Sequence, residues 1–418
     1  MQIDTKLDFN LISLEQAETI HAMLELTAPD LPGERRRDPA TLQVVLDRSG
    51  SMAGGALHSS LVAIDSLLGR LLPDDHFGLV VFDDEVAVAV PAGELGDPAS
   101  ARALLRRIGP GGMTNLSGGL LRGIQEAQRV AGEGGATVVL LSDGHANQGV
   151  TDHAGLAEFA AGAYRGGIAT STIGIGRGYD EDLMEAIARG GQGNSSFGED
   201  GDEAGAQLAS EVEGLLEQSV QAASLTVRPA APVSAVRLYN DLPTSPLDGG
   251  FVAELGGLYG EETRRLVLEI DVPGIAALGP ARVCELELRW VEVEAMEQKV
   301  ARIPVNVNVV PGDQAAGRVP DAEVSTEVAY QRAQRSKKEA SEEIRRGDIL
   351  AAQHCYDAAR ADLASARRRA PRRLHDDLDQ EIEMLARLSE ESARDRFAAR
   401  KRSISDYHLK ARRRGRRY

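Results

Sequence analysis

Leu42-Gln43-Val44-Val45-Leu46-Asp47-Arg48-Ser49-Gly50-Ser51 is the stretch on which the reading of this chain turns. Its first half is a short apolar run bounded by turn residues, the pattern of a strand buried on both faces. Its second half delivers one carboxylate and two hydroxyls on a loop that then enters a helix. Open α/β sheets place their ligands in the crevice beyond the carboxyl ends of their strands. Hydroxyls with few carboxylates suit a small hard divalent ion that keeps several of its waters.

Two further segments supply what such a site still lacks. Gly111-Gly112-Met113-Thr114-Asn115 is a glycine-rich loop before a helix and offers a third hydroxyl at Thr114. Thr137-Val138-Val139-Leu140-Leu141-Ser142-Asp143-Gly144 reads as a second buried strand that ends in a carboxylate and a glycine turn. One Asp-x-Ser-x-Ser string alone is ordinary capping or turn chemistry. Capping does not require Thr114 and Asp143, however, and βαβ spacing brings neighbouring strand ends together.

On these residues the chain resembles a von Willebrand factor type A (vWA) domain over roughly residues 40–222. Asp47, Ser49, Ser51, Thr114 and Asp143 occupy the five positions of that family's metal-ion-dependent adhesion site. The resemblance implies that Ser49, Ser51 and Thr114 bind Mg²⁺ (or Mn²⁺) directly, with Asp47 and Asp143 holding it directly or through water. It also implies a vacant coordination position for an Asp or Glu of a partner protein, and no catalysis. Arg48, between two ligands, and His145, after Asp143-Gly144, are candidate partner contacts at the rim. For each, the alternative is a solvated side chain or, for Arg48, a nearby carboxylate. Intracellular relatives of this kind often serve AAA-type ATPases or metal-insertion machines, so a regulatory accessory subunit is the rival expectation.

A length of 418 residues suggests two or three domains. With aromatics at only 4%, the core must rest on Leu, Val, Ile and Ala. No stretch reaches the apolar length of a membrane span, and Met1-Gln2-Ile3-Asp4-Thr5-Lys6 lacks a basic-then-apolar signal pattern. Cys284 and Cys355 lie far apart and read as free thiols, so the expected location is the cytoplasm. The resemblance, to architectures that accompany bacterial type A domains, implies a bacterial protein. Residues 1–320 carry 23 Lys/Arg against 46 Asp/Glu, whereas residues 321–418 carry 24 against 18. The acidic body argues against nucleic-acid binding by the main domains and leaves only the basic tail open to it.

The expected fold class is α/β: a doubly wound, mostly parallel vWA sheet flanked by helices, plus an antiparallel β-sandwich and a C-terminal α-helical region. Strands are predicted near 42–47, 76–82, 85–90, 136–142, 168–175 and 194–198, and helices over 55–72, 98–108, 117–132, 152–165, 180–189 and 202–223. The vWA domain is placed at 39–223. Residues 224–311 alternate apolar and polar positions with period two, the mark of a sandwich with one buried face per sheet. Residues 1–38 are expected to add strands to it, which makes the vWA domain an insertion. A linker is expected over 312–321, a helical hairpin or bundle over 322–403, and a basic tail over 404–418. Within the helices, Leu374, Leu378, Ile382 and Leu385 form one apolar stripe. Gly347, Ala352, Tyr356 and Ala359 only weakly suggest a tetratricopeptide-type hairpin.

Other chemistry does not assemble. There is no Gly-x-x-x-x-Gly-Lys loop, His-Glu-x-x-His pair, Cys-x-x-Cys or Gly-x-Ser-x-Gly elbow. Asp83-Asp84-Glu85 reads as a solvated turn rather than an accessory cation site.

Overall fold

The computed structural model describes residues 1–30, 39–53, 55–132, 134–143, 146–176, 178–216, 218–231, 233–293 and 297–412. Three strands come first: β1 (Gln2–Leu7), β2 (Leu11–Ser13) and β3 (Glu18–Thr27). The chain divides into two units, one formed by Pro32–Glu217 and the other by Met1–Leu31 together with Gln218–Tyr418.

In the Pro32–Glu217 unit, strands and helices alternate: β4 (Thr41–Asp47), α1 (Gly55–Leu68), β5 (His76–Phe82), β6 (Val86–Glu94), α2 (Pro98–Leu105), α3 (Leu116–Val130), β7 (Ala136–Ser142), α4 (His153–Arg165), β8 (Ile168–Ile175), α5 (Glu181–Gly190), β9 (Gln192–Gly198) and α6 (Gly201–Leu216). The sheet order is β6-β5-β4-β7-β8-β9, parallel throughout except for the antiparallel edge strand β6. The near-continuous apolar reading of β4 has a direct cause. Leu42, Val44 and Leu46 pack with Leu57, Ile64 and Leu208 of α1 and α6. Val45 packs on the opposite face with Leu120, Leu156 and Leu183 of α3, α4 and α5. Helices thus cover both faces, as a parallel sheet requires. β4 lies between β5 and β7, so strand order reverses there and a crevice opens at its carboxyl end.

The second unit adds β10 (Gln218–Pro229), β11 (Ala235–Leu238), β12 (Thr244–Leu247), β13 (Gly250–Tyr259), β14 (Thr263–Val272), β15 (Gly279–Glu292) and β16 (Glu297–Val310). Two sheets form, β1-β3-β14-β11 and β12-β13-β10-β15-β16-β2. Ile20, Ala22, Leu24 and Leu26 of β3 face Leu225, Val227 and the other inward residues of the second sheet. The helix predicted over 202–223 stops at Leu216, and β10 begins at Gln218. Ala, Ser and Gln at 218–224 permit a helix locally. Burial of Val220, Leu225 and Val227 in the sandwich selects the strand, and a register shift between Gln221 and Ser224 absorbs the misfit, with Ala222 at φ 49°.

Four long helices follow the short α7 (Gly312–Ala315): α8 (Ala322–Arg346), α9 (Ile349–Arg367), α10 (His375–Arg394) and α11 (Arg396–Arg412). Asp321 caps α8 by accepting from the amides of Glu323 and Val324. Gly347, at φ 87°, ends that helix in the left-handed region that favours glycine. Val324 and Val328 of α8 pack on Met23, Tyr239 and Val267, the outer face of the four-stranded sheet. α11 continues past residue 403, where the sequence reading began a tail. Tyr407 and Ala411 are buried, and the Tyr407 hydroxyl donates to Asp241 at 2.5 Å. Residues 413–418 of the expected basic tail lie outside the described residues. Among the described residues, no helix is long and apolar enough to cross a membrane.

Candidate metal centre

β4 ends on Asp47, whose side chain is fully buried. Its Oδ1 accepts the Ser49 amide at 2.8 Å, and its Oδ2 accepts the Ser142 hydroxyl at 2.6 Å. Ser142 is the last residue of β7, and the parallel pairing of Leu46 with Leu141 brings the two strand ends side by side. Burial pushes the Asp47 carboxyl up to about 6, and the charge of Asp143 adds to that push. The hydrogen bonds from Ser142 and Ser49 oppose it.

After Asp47 the chain makes one 3₁₀ turn, Gly50–Met52, before α1. Ser49 occupies the N-cap position of that turn, yet its side chain makes no capping bond. Its hydroxyl instead faces that of Ser51 at 3.1 Å. Other caps in this unit behave in the usual way, with Asn115 accepting from the Gly118 amide at 3.0 Å. The two serine hydroxyls are therefore not consumed by the helix start, which removes the capping explanation for this string.

The Thr114 loop is stitched to the Ser49 loop through the backbone. The Gly111 amide donates to the Arg48 carbonyl at 2.7 Å, and the Gly50 amide donates to the Gly112 carbonyl at 2.9 Å. Thr114 is buried, and Asn147 clamps it from the loop that follows Asp143. The Thr114 amide donates to Asn147 Oδ1 at 2.8 Å, and its carbonyl accepts from the Asn147 amide at 3.1 Å. The Asp143 carbonyl accepts from the Asp180 amide at 3.2 Å, which ties this strand end to the start of α5.

Arg48 does not stand free at the rim. Its guanidinium pairs with Asp83 at 3.1 Å, and its amide donates to the Phe82 carbonyl at 2.8 Å. Asp83 is only 4% exposed, so the reading of Asp83-Asp84-Glu85 as a solvated turn fails at its first residue. The reason is steric. A Cβ on Gly111 would fall 1.6 Å from Asp83 Oδ2, so the missing side chain lets that carboxylate lie against the loop. The Asp83 carbonyl also accepts from the Asn115 amide at 2.8 Å. His145 lies outside the described residues.

Three residues thus organise the site: Ser142 and Asn147, which sequence reasoning passed over, and Asp83, which it placed in a solvated turn. Ser142 could have been found, because it stands one residue before Asp143 at a strand end. Asn147 and Asp83 could not, since their roles depend on how three loops meet. The donor chemistry is oxygen throughout, two carboxylates and three hydroxyls on adjoining loops. That set fits a hard divalent cation and not a thiolate or imidazole metal. A cation would also offset the cost of burying Asp47 as an anion.

Residues 42–210 match the von Willebrand factor type A domain family. The uncharacterized protein sll0103 of Synechocystis sp. is 29% identical over 263 residues, which cover 59% of this chain and 62% of that protein. Inter-alpha-trypsin inhibitor heavy chain H1 of Mesocricetus auratus is 32% identical over 157 residues, 35% of this chain and 17% of that one. The chain thus spans less than two thirds of the length of these relatives. Among solved structures, a von Willebrand factor type A protein from Catenulispora acidiphila superposes with a TM-score of 0.75 at 14% identity, covering 100% of this chain and 97% of its own. The ArnB paralog VWA2 from Sulfolobus acidocaldarius superposes with a TM-score of 0.63 at 16% identity, covering 98% and 97%. The fold of the whole chain is shared with these two, and the chain carries a von Willebrand factor type A domain with the strand-end site described above at its crevice.

Proposed function

We propose that this chain is a metal-dependent protein-interaction module without catalytic activity of its own. vWA domains generally act in protein–protein interaction and adhesion. In this reading, the hydroxyls of Ser49, Ser51 and Thr114 hold Mg²⁺ or Mn²⁺, with Asp47 and Asp143 behind them. A carboxylate from an Asp or Glu of the partner completes the coordination. With few charged ligands supplied by the chain, the ion stays electrophilic toward an incoming carboxylate. The observation that carries the reading is the pair of serine hydroxyls turned toward each other beside a buried carboxylate, instead of capping the helix they precede.

Arg48 serves this reading by clipping the loops through Asp83 rather than by steering the partner. The free thiols of Cys284 and Cys355 support a cytoplasmic setting. The rival role, regulation of an AAA-type ATPase, would use the same site and differs only in the partner.

The test is calorimetric titration of the full chain with MgCl₂ and MnCl₂, followed by a pull-down from host lysate with and without EDTA. Binding of either ion should disappear in Ser49→Ala and Asp47→Asn, and partner capture should be lost with EDTA and with each variant. Metal binding unchanged in both variants would sink the site. Partner capture indifferent to EDTA would sink the function.

A further inference from the structure

The turn between α9 and α10 reads Arg367-Arg368-Arg369-Ala370-Pro371-Arg372-Arg373, five arginines in seven residues. The outermost two are neutralised within the fold. Arg367 makes a two-point pair with Asp379 of α10, and Arg373 pairs with Glu323 of α8, which also holds Lys6 at 2.5 Å. Ala370 and Leu374 are anchored in the core of the bundle, and the His375 ring meets the Ala370 carbonyl at 3.0 Å. Both ends of the turn are thereby fixed. Between them Arg368, Arg369 and Arg372 are exposed, and among the described residues no ion pair engages their guanidinium groups.

An ordered turn that pairs two arginines and leaves three outward is pre-organised for an anion, since little freedom is lost on binding. Guanidinium forks match carboxylates and phosphates in two-point geometry, and no lysine occurs in the turn. Three features favour carboxylates on a short peptide over a nucleic-acid backbone. The unpaired guanidiniums lie within five residues, and exposed Asp376 and Asp377 follow directly, so a long polyanion would soon meet like charge. The chain carries a net charge of −17, which adds repulsion along an extended polymer. The turn has no Phe, Tyr or Trp on which a base could stack.

We infer that Arg368, Arg369 and Arg372 form a metal-independent docking surface for a short Asp/Glu-rich segment of a protein partner. The turn belongs to the unit formed by Met1–Leu31 and Gln218–Tyr418, the strand-end site to the Pro32–Glu217 unit, and docking at the turn does not depend on the metal. A partner able to present acidic groups to both would gain avidity wherever its length permits simultaneous contact.

The probe is a fluorescein-labelled octaglutamate peptide, followed by anisotropy on the full chain in EDTA at low ionic strength. Arg368→Gln/Arg369→Gln/Arg372→Gln should weaken binding roughly tenfold. The charge-matched control Arg106→Gln/Arg107→Gln/Arg165→Gln, on exposed arginines of the other unit, should leave it within about twofold. Equal binding by the turn variant and the native chain overturns the inference. So does an equal loss in the control, which would make the effect one of net charge. Loss confined to Arg413→Gln/Arg414→Gln/Arg416→Gln would assign the peptide to the chain end and overturn it too. Tighter turn-dependent binding of a short DNA duplex, or of phosphatidylserine vesicles, would overturn the choice of partner.

Discussion

Asp47 and Glu381 are both carboxylates withdrawn from water, one at a strand end of the inserted unit and one inside the helical bundle. Their surroundings push them in opposite directions. Asp47 has only hydroxyl and amide donors, and burial raises its carboxyl to about 6. Glu381 sits against Lys337 of α8 and Lys410 of α11, the latter at 2.8 Å, and also accepts from Gln334 at 3.0 Å. These two ammonium groups outweigh burial and draw the Glu381 carboxyl down to about 2. Lys337 also pairs with Asp406, which closes a set of two cations and two anions. The bundle therefore carries its own counter-charges, whereas in the proposed function the strand-end site takes its counter-charge from a cation in solution. In that reading, one charge balance is fixed by folding and the other by concentration.

The most disruptive way to break this contrast is Glu381→Ala, which leaves the Lys337 and Lys410 ammonium groups to share the single carboxylate of Asp406. We expect a loss of about 3–5 kcal/mol, read as a lower urea midpoint for the helical signal. Asp47→Asn should act quite differently. In EDTA it should cost little, because an amide needs no counter-charge. The native chain should gain about 2.7 kcal/mol at Mg²⁺ a hundredfold above the dissociation constant, and the variant should gain none, as judged by urea melts with and without the ion. Asp83→Ala tests whether the strand-end loops are held by their clip. Magnesium affinity should fall tenfold to a hundredfold in calorimetry, as for other residues that orient metal ligands, on the order of 1.4–2.7 kcal/mol. Ser142→Ala should have the smallest effect, about 1 kcal/mol, through one hydrogen bond lost to Asp47.

The two carboxylates also set opposite acid responses. Glu381 lies below its ordinary value of 4.5, so its contribution to stability is present above that value and lost as pH falls toward 2. Asp47 lies above its ordinary 3.8, so the metal-free fold holds a proton that the unfolded chain has already released. Its stability is greatest below that pH and declines as pH rises through about 6. Saturating Mg²⁺ should flatten the second slope and leave the first untouched. Urea melts across pH with and without the ion would measure both.

Much of the fold is written locally. The runs at 42–46 and 137–141 are apolar at every position or nearly so because helices cover both sheet faces, and the β3 and β14 segments alternate because only one face meets the sandwich core. Five oxygen-bearing residues could be picked out because each stands at a strand end or loop whose type the sequence declares. Less legible was anything decided by distant packing. Asp83 is buried only because Gly111 admits it, and residues 218–223 become strand because the sandwich claims Val220. Glu381 was partly visible, lying three residues after Leu378 and four before Leu385 on the apolar face of α10. Its cations, from residues 337 and 410, become neighbours only when α8 and α11 pack.

The inserted unit leaves the sandwich after β3, in one sheet, and rejoins it at β10, in the other. Tension applied to that unit would therefore be divided between two covalent crossings, one into each sheet. A single protease nick in either crossing would leave the insert tethered by the other, so release would take two cuts.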